Sequence, residues 1–230
     1  MSNHSDHPTR VAAFFDVDGT LVDATIVHYY AYFATRALSP LRRRLWLAGF
    51  IPKILYYIFL DRVSRSAFNR IFYQNYAGMD ARQVRVWSQA HFEDVIRPRL
   101  YPDAITRVAQ HRDRGERVVL VTGSLDFIMQ PVAEFLQADA LLAVQMTEQD
   151  GRLTGHLTGP PIGDEEKAHV IRAFADTHHL DLARSFAYGD SRADIPMLRC
   201  VGHPVVINPK RLLRRVAEEN GWGIENWEKE

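Results

Sequence analysis

Three short apolar runs along the chain each end abruptly in a polar loop. Residues 10–15 lead into Asp16-Val-Asp-Gly-Thr20, residues 117–121 lead into Thr-Gly-Ser124, and residues 185–188 lead into Gly-Asp-Ser191. Apolar runs of this length are typical of buried parallel strands. Helical patterns lie between them, so strands and helices alternate, which predicts an α/β fold with an open parallel sheet. The polar loops would meet in the crevice at the carboxyl ends of the strands.

The stretch between the first two runs follows a different pattern. Residues 24–98 are rich in aromatic, Leu, Ile and Arg residues and carry few strand signals, so we predict a helical cap domain there. The core would then comprise residues 1–23 and 99–230. Pro98 and Pro102 interrupt the helical pattern and predict a hinge between cap and core. Around residues 143–161, a turn at Asp150-Gly151 predicts a small antiparallel hairpin.

One apolar segment of the predicted cap, residues 45–60, raises the question of membrane contact. It is shorter than the ~20 residues that a transmembrane helix needs, and it contains Pro52 and Lys53. We therefore predict a buried or interfacial helix. The preceding Arg42-Arg-Arg44 could meet acidic lipid headgroups or an anionic substrate, but a basic run is usually a solvated face, and we favour that interpretation.

Composition narrows the class of partner and the compartment. Lys plus Arg equals Asp plus Glu at 28 each, so no global field favours nucleic acid or an anionic membrane. Cys200 is the single cysteine, and residues 1–10 lack the apolar core of a secretory signal. A reducing cytoplasmic location is the expectation. Oligomeric state stays open, and a small-molecule phosphate ester is the expected partner.

The first polar loop carries two carboxylates suited to phosphoryl chemistry. Asp16 and Asp18 are separated by one residue, and with Asp190 from another strand end they offer hard oxygen ligands for Mg²⁺. An ionised Asp16 could attack phosphorus as the nucleophile. Asp18, two positions on, could act as general acid and base. Asp194 adds a further carboxylate near the same place.

Phosphoryl transfer also needs donors for the non-bridging phosphate oxygens. The Thr122 hydroxyl, the Gly123 amide and the Lys167 ammonium are the predicted substrate-binding groups. Arg65 and Arg70 in the cap are further candidates, which could hold a substrate carboxylate or a second phosphate.

Together, Asp16-Val-Asp-Gly-Thr20, Val121-Thr-Gly-Ser124, Lys167 and residues 189–198 resemble the four ordered motifs of the haloacid dehalogenase superfamily. The long insertion between the first and second motifs is similar to the cap of the phosphoserine-phosphatase-like branch, subfamily IB. The resemblance implies a Rossmann-like three-layer core with a parallel sheet and a helical C1-type cap inserted after the first strand.

The same resemblance implies a Mg²⁺-dependent phosphatase that forms an aspartyl phosphate. Its nucleophile would be Asp16 and its acid/base Asp18, with Thr122 and Lys167 on the phosphate. The metal would be held by Asp16, the Asp18 carbonyl and Asp190, with Asp194 in the surrounding shell.

Two departures from that branch bear on the substrate. Ala193 stands where phosphoserine phosphatases usually carry Asn, and Thr25 stands about where they place a glutamate that grips the ammonium group of the substrate. Phosphoserine is therefore disfavoured, and we expect a different small organic phosphomonoester.

Three other functions remain open on the sequence alone. A phosphoacceptor signalling module shares the chemistry but would need no large insertion. A catalytically silent or lipid-facing binding protein could keep the fold without the activity. Phosphoryl transfer to an acceptor other than water, or dehalogenation, would also fit the superfamily.

Overall fold

The computed structural model describes residues 10–228. Its strands are β1 (Ala12–Asp16), β2 (Arg117–Leu125), β3 (Ala140–Val144), β4 (Met146–Gln149), β5 (Arg152–Leu157), β6 (Phe186–Gly189), β7 (His203–Ile207) and β8 (Gly223–Glu225). Six of them form one sheet in the order β3-β2-β1-β6-β7-β8. Every neighbouring pair in that sheet is parallel. The predicted parallel α/β sheet is confirmed.

Nine α-helices accompany the strands of the described chain. They are α1 (Ile26–Thr35), α2 (Pro40–Val63), α3 (Arg65–Tyr73), α4 (Ala81–His91), α5 (Pro102–Asp113), α6 (Asp126–Leu136), α7 (Glu165–His178), α8 (Ile195–Leu198) and α9 (Arg211–Asn220). Strands β1 and β2 lie at the centre because their apolar side chains are buried on both faces; residues 12–15 and 118–121 are fully inaccessible. Helices therefore flank a buried sheet, as a Rossmann-like core requires.

The chain between β1 and β2 is helical, and the predicted helical insert after the first strand is confirmed. It contains α1 to α4, and α4 continues through a π-helical turn at Phe92–Ile96 and a 3₁₀ turn at Arg97–Arg99. Pro98 lies within this last turn, and Pro102 opens α5. The exact boundaries of the cap, 24–98, stay a prediction. The first nine residues of the predicted core lie outside the described part of the chain.

A small hairpin extends from the core, as the turn residues predict. Strands β4 and β5 pair antiparallel. Asp150 and Gly151 between them both have positive φ, 50° and 72°, which is the backbone that a two-residue hairpin turn requires. Gly78 of the insert donates its amide to the carbonyl of Leu153 on β5, so the hairpin contacts the helical insert directly.

Of the two alternatives predicted for helix α2, buried or interfacial, the structure contradicts the first. Most apolar side chains of the helix are exposed, including Leu45, Leu55 and Phe59, and the interfacial alternative stays a prediction. Only the side that carries Phe50 and Tyr57 is buried. Among the described residues, no helix has the length and apolarity needed to cross a membrane.

Candidate active site

The polar loops that the sequence places after three strands do meet at one edge of the sheet. Strand β1 lies between β2 and β6, with Asp16 level with Val121 and Phe15 level with Tyr188. Because the three strands run in the same direction, their carboxyl ends carry Asp16, Thr122 and Asp190 to the same place. The topology thus explains why residues far apart in sequence share a site.

A buried cluster of three carboxylates forms the centre of this site. Oxygens of Asp16, Asp190 and Asp194 all lie within 4.8 Å of one another. Lys167, in the first turn of α7, reaches into the cluster. Its Nζ donates to Asp16 Oδ1 at 2.5 Å and to Asp194 Oδ1 at 2.6 Å. All of these side chains are buried except Asp190, which is partly exposed.

The charges of this cluster are not balanced. Burial raises the pKa of Asp16 to about 7; the Lys167 ammonium opposes the shift, and the Asp194 and Asp18 carboxylates reinforce it. Burial also raises the pKa of Asp190, again reinforced by Asp194 and Asp16. Burial works against the charge of Lys167, but the Asp16 and Asp194 carboxylates outweigh it and raise its pKa. One ammonium therefore faces three carboxylates, an excess of negative charge that suits a divalent cation.

Asp18 is held beside the cluster by two hydroxyls. Thr122 Oγ1 and Ser124 Oγ each donate to Asp18 Oδ2 at 2.8 Å, and the Ser124 amide donates to Thr122 Oγ1 at 2.9 Å. Asp18 Oδ1 has no hydrogen-bond partner among the described residues. The Thr122 hydroxyl, predicted to contact phosphate, is thus turned toward Asp18 in this structure.

Glycine is required at two positions of the site because the backbone passes close to other groups. A Cβ at Gly19, where φ is +100°, would lie 2.5 Å from Asp190 Oδ2. A Cβ at Gly123 would lie 2.7 Å from Asn69 Nδ2 and 2.9 Å from the Ile162 carbonyl oxygen. Neither position has room for a side chain.

Helices of the insert also contribute groups to the site. The Tyr73 hydroxyl donates to the Gly123 carbonyl at 2.5 Å, and Asn69 Nδ2 approaches the same oxygen at 3.5 Å. Tyr29 lies near Asp18, and burial together with that carboxylate raises the pKa of its phenol well above the ordinary value. None of these three residues was predicted from the sequence, since helical spacing gives no signal for a polar group that points toward a distant loop.

Two further residues belong to motifs that the sequence analysis quoted without giving them a role. Thr20 Oγ1 donates to Asp16 Oδ2 at 2.8 Å. Ser191 donates to Asp194 Oδ2 through its amide at 2.9 Å and its hydroxyl at 2.7 Å. Asp194 therefore links Lys167 to the loop after β6. Ser191 stands three residues before Asp194 in the same motif, and this spacing could have identified it from the sequence.

A cavity of about 660 Å³ lies beside Asp190, and we interpret it as the entrance to the site. Arg65 from the insert lines it together with Ala193 and Lys210 of the core. Arg70, the other candidate arginine, is exposed and lies outside this lining. Thr25 is exposed as well, and its hydroxyl and amide both contact His28 Nδ1. It is therefore engaged in capping α1, away from the cavity.

Comparison with known proteins gives one family model and several relatives that align along most of this chain. A family model described as haloacid dehalogenase-like hydrolase matches residues 13–199. A probable phosphatase of Mycobacterium tuberculosis is 33% identical over 217 residues, which cover 94% of this chain and 75% of that protein. A phosphoserine phosphatase of the same organism is 30% identical over 220 residues, covering 94% and 70%.

Solved structures agree on the fold. A protein of unknown function from Bordetella pertussis superposes with a TM-score of 0.79 at 27% identity, covering 94% of this chain and 98% of that one. A substrate-bound phosphoserine phosphatase superposes with a TM-score of 0.71 at 19% identity, covering 97% and 96%. Since the family model spans most of the chain and the curated relatives align along nearly all of it, this protein belongs to the haloacid dehalogenase-like hydrolase family and is one of its phosphatases.

Proposed function

We propose that this phosphatase hydrolyses a small organic phosphomonoester in two steps through a phosphorylated Asp16, with Mg²⁺ as cofactor. The observation that carries the proposal is the setting of Asp16. Its two carboxylate oxygens accept from Lys167 and Thr20, which holds the group at the end of β1, beside Asp190 and Asp194. A carboxylate fixed in this way loses little freedom when it attacks.

The residues present fit a magnesium ion. Asp16 and Asp190, with the Asp18 carbonyl, would hold the ion. Asp194 would lie in the surrounding shell, where it accepts hydrogen bonds from Lys167 and Ser191. The fit rests on the oxygen-only donor set and on the excess negative charge of the cluster. Burial raises the pKa of both Asp16 and Asp190, and the neighbouring carboxylates reinforce the shift. When bound, the ion would neutralise charge on the transferring phosphoryl group and keep Asp16 ionised.

In the first step, a carboxylate oxygen of Asp16 attacks phosphorus and the bond to the ester oxygen breaks. The leaving alkoxide takes a proton from Asp18, so the products are an alcohol and an acyl phosphate on Asp16. Asp18 suits this role because one of its oxygens is fixed by Thr122 and Ser124, while Oδ1 has no partner among the described residues. The free oxygen can therefore face the leaving group.

In the second step, water attacks the phosphorus of the acyl phosphate. Asp18, now ionised, takes the proton from that water, and the bond between phosphorus and the Asp16 oxygen breaks. Inorganic phosphate leaves, Asp16 is again a carboxylate and Asp18 is again protonated. Lys167 and the Gly123 loop stabilise the non-bridging oxygens in both steps.

The substrate is proposed to be a phosphomonoester other than phosphoserine. One relative is named a phosphoserine phosphatase, but two positions of this chain argue for a different choice. Thr25 is engaged with His28, and Ala193 brings only a methyl group to the cavity beside Asp190. The cavity therefore has no amide at position 193, and position 25 offers no carboxylate to recognise the ammonium group of an amino acid.

The test is phosphate release from a panel of esters, including phosphoserine, histidinol phosphate, sugar phosphates and lysophosphatidate. Release from at least one ester should require Mg²⁺, stop with EDTA and fall at least about a thousandfold in Asp16→Asn. Asp176→Asn is the matched control, because Asp176 is an exposed residue on α7 and should keep full activity. Absence of release from every ester would instead favour the catalytically silent binding protein.

A further inference from the structure

Helix α2 carries a second apolar stripe on the side opposite its buried one. Trp46, Phe50, Ile54, Tyr57 and Leu60 face the rest of the protein, with Phe50 and Tyr57 fully buried. The outer stripe recurs at intervals of three or four residues, which places its members on one helix face. It consists of Leu41, Leu45, Ala48, Pro52, Leu55, Phe59 and Val63.

This outer stripe is exposed along its whole length. Leu41, Leu45, Leu55, Phe59 and Val63 are each between 64% and 71% exposed. At about 1.5 Å per residue the stripe runs for roughly 33 Å. A helix that is apolar all round is normally buried, and a continuous exposed stripe of this size marks an interaction surface.

Basic residues border the stripe. At about 100° per residue, Arg42 and Lys53 fall on one side of it and Arg44 on the other, and all three are exposed. Over the whole of α2, residues 40–63, the sequence has five Arg or Lys residues and a single acidic residue, Asp61. The chain as a whole has no net charge, so this local excess of positive charge belongs to the stripe.

A groove at the start of α2 is lined by arginines, which add to the positive charge beside the stripe. It encloses about 460 Å³ and is lined by Arg36, Arg43 and Arg44 together with Tyr32 and Leu47. Arg36 is partly neutralised by Asp94 at 3.2 Å. A groove of this kind, next to exposed leucines, has the chemistry to receive a phosphate headgroup while neighbouring apolar side chains enter an acyl layer.

We propose that α2 docks the protein in the plane of an anionic phospholipid bilayer. The outer stripe would enter the boundary between headgroups and acyl chains, and the bordering Arg and Lys side chains would reach the headgroups. A second copy of the chain fits less well. Two stripes packed face to face around a twofold axis would bring together two segments that each carry a net positive charge, five basic residues against Asp61 alone.

The entrance of the active site adjoins the docked face. Val63 ends the outer stripe and also lines the cavity beside Asp190, and the exposed Leu212 lines the same cavity. Docking would therefore turn the cavity toward phosphomonoesters that reside in the bilayer surface. This last consequence rests on the proposed function; the docking itself does not.

The test is flotation of the full chain with vesicles of phosphatidylcholine alone and of phosphatidylcholine mixed with phosphatidylglycerol. The wild-type chain should float with the mixed vesicles and remain behind with the neutral ones. Leu45→Glu with Leu55→Glu should lower the partition coefficient at least about tenfold. Arg42→Gln with Arg44→Gln should lower it about fivefold for each charge removed.

Val86→Glu is the matched control, because Val86 is an equally exposed apolar residue, 64%, on α4. It should float like the wild type. Turnover of the water-soluble p-nitrophenyl phosphate should be the same in every variant, which verifies the fold, while turnover of lysophosphatidate in mixed vesicles should fall only in the α2 variants. Failure of all turnover in the wild type would contradict the proposed function and leave the flotation result standing.

Three outcomes would overturn the docking proposal. The first is no flotation with either kind of vesicle, and the second is equal binding to neutral vesicles. The third is a stable dimer in sedimentation that Leu45→Glu with Leu55→Glu converts to monomer, because the second copy would then be the occupant of the stripe.

Discussion

At the scale of single residues, the site depends on a lysine placed among carboxylates. Lys167 Nζ contacts both Asp16 and Asp194, and all three side chains are at most 6% exposed. Removing one partner from a buried ionic group leaves the others uncompensated, which costs far more than a surface ion pair. We therefore expect Lys167 to stabilise the fold, apart from the chemical role proposed for it.

Lys167→Met should lower the free energy of unfolding by about 3 kcal/mol at pH 7 in EDTA. Lys210→Met is the matched control, since Lys210 lines the same cavity but is exposed, and its effect should stay within about 0.5 kcal/mol. Urea unfolding measures both values. Equal stabilities for the two variants would show that the buried cluster does not depend on the ammonium.

Gly123 is the second residue on which the site geometry depends. Gly123→Ala would place a methyl group 2.7 Å from Asn69 and 2.9 Å from the Ile162 carbonyl, so we expect turnover to fall at least about tenfold as the insert and the loop separate. Gly159→Ala, which meets nothing within 4 Å, should leave turnover unchanged. Steady-state kinetics compare them, and full activity in Gly123→Ala would contradict the close approach.

At the scale of elements, the sequence predicts strands and turns correctly where the hydrophobic pattern and the polar loop residues indicate the same structure. The strands that lead into Asp16, Thr122 and Asp190 were predicted because apolar runs end in polar loops. The hairpin at Asp150-Gly151 was predicted because its turn needs positive φ. These signals are local, so a single sequence can carry them.

For the helices of the insert, the sequence does not predict which side chains face the site. Their existence follows from composition, but the direction of each side chain depends on packing between helices distant in sequence. Tyr29 and Tyr73 reach the site, whereas Arg70 does not. For α2, two opposed apolar stripes give no amphipathic period, so the sequence could not reveal which side is buried.

The packing of α1 against α4 contains a buried histidine that should make stability depend on pH. His91 is fully buried against Tyr29, Tyr32 and Phe33 at 4.9–5.2 Å between ring centroids. Its ring nitrogens have no hydrogen-bond partner among the described residues. Burial lowers the pKa of His91 to about 3; the Asp94 carboxylate opposes this shift and Arg99 adds to it.

Because the unfolded chain binds a proton near pH 6.5 and folded His91 does not, stability should fall as pH drops below about 6.5. His91→Phe removes this contribution. Between pH 7.5 and pH 5 the variant should gain about 2 kcal/mol relative to the wild type. His156→Phe, at an exposed position on β5, is the control and should show no such gain. A constant difference between His91→Phe and the wild type would refute a neutral buried His91.

At the scale of the whole molecule, we predict that the helical insert and the core move apart so that substrate can reach Asp16. Asp16 and Lys167 are almost inaccessible here, and Ser66 of α3 lies 3.4 Å from Asp164 across the entrance. The turns at residues 92–99 and Pro102 connect the two parts. Closing of the insert over the core would exclude bulk water while the phosphoryl group is transferred.

Crosslinking the insert to the core should therefore reduce turnover strongly. In a variant with Ser66→Cys, Asp164→Cys and Cys200→Ser, a short bismaleimide should reduce turnover at least about tenfold. The single-cysteine variants treated with the same reagent should keep the activity of their untreated forms. Unchanged turnover after complete crosslinking would show that opening at this edge is not part of the cycle.

The proposed mechanism depends most on Asp16 as the nucleophile. The most direct measurement is borohydride reduction of the protein during turnover, which converts an aspartyl phosphate to homoserine, followed by mass spectrometry of the peptides. We predict homoserine at position 16, dependent on substrate and absent when EDTA is added. Homoserine at another aspartate, or full turnover with residue 16 unmodified, would contradict it.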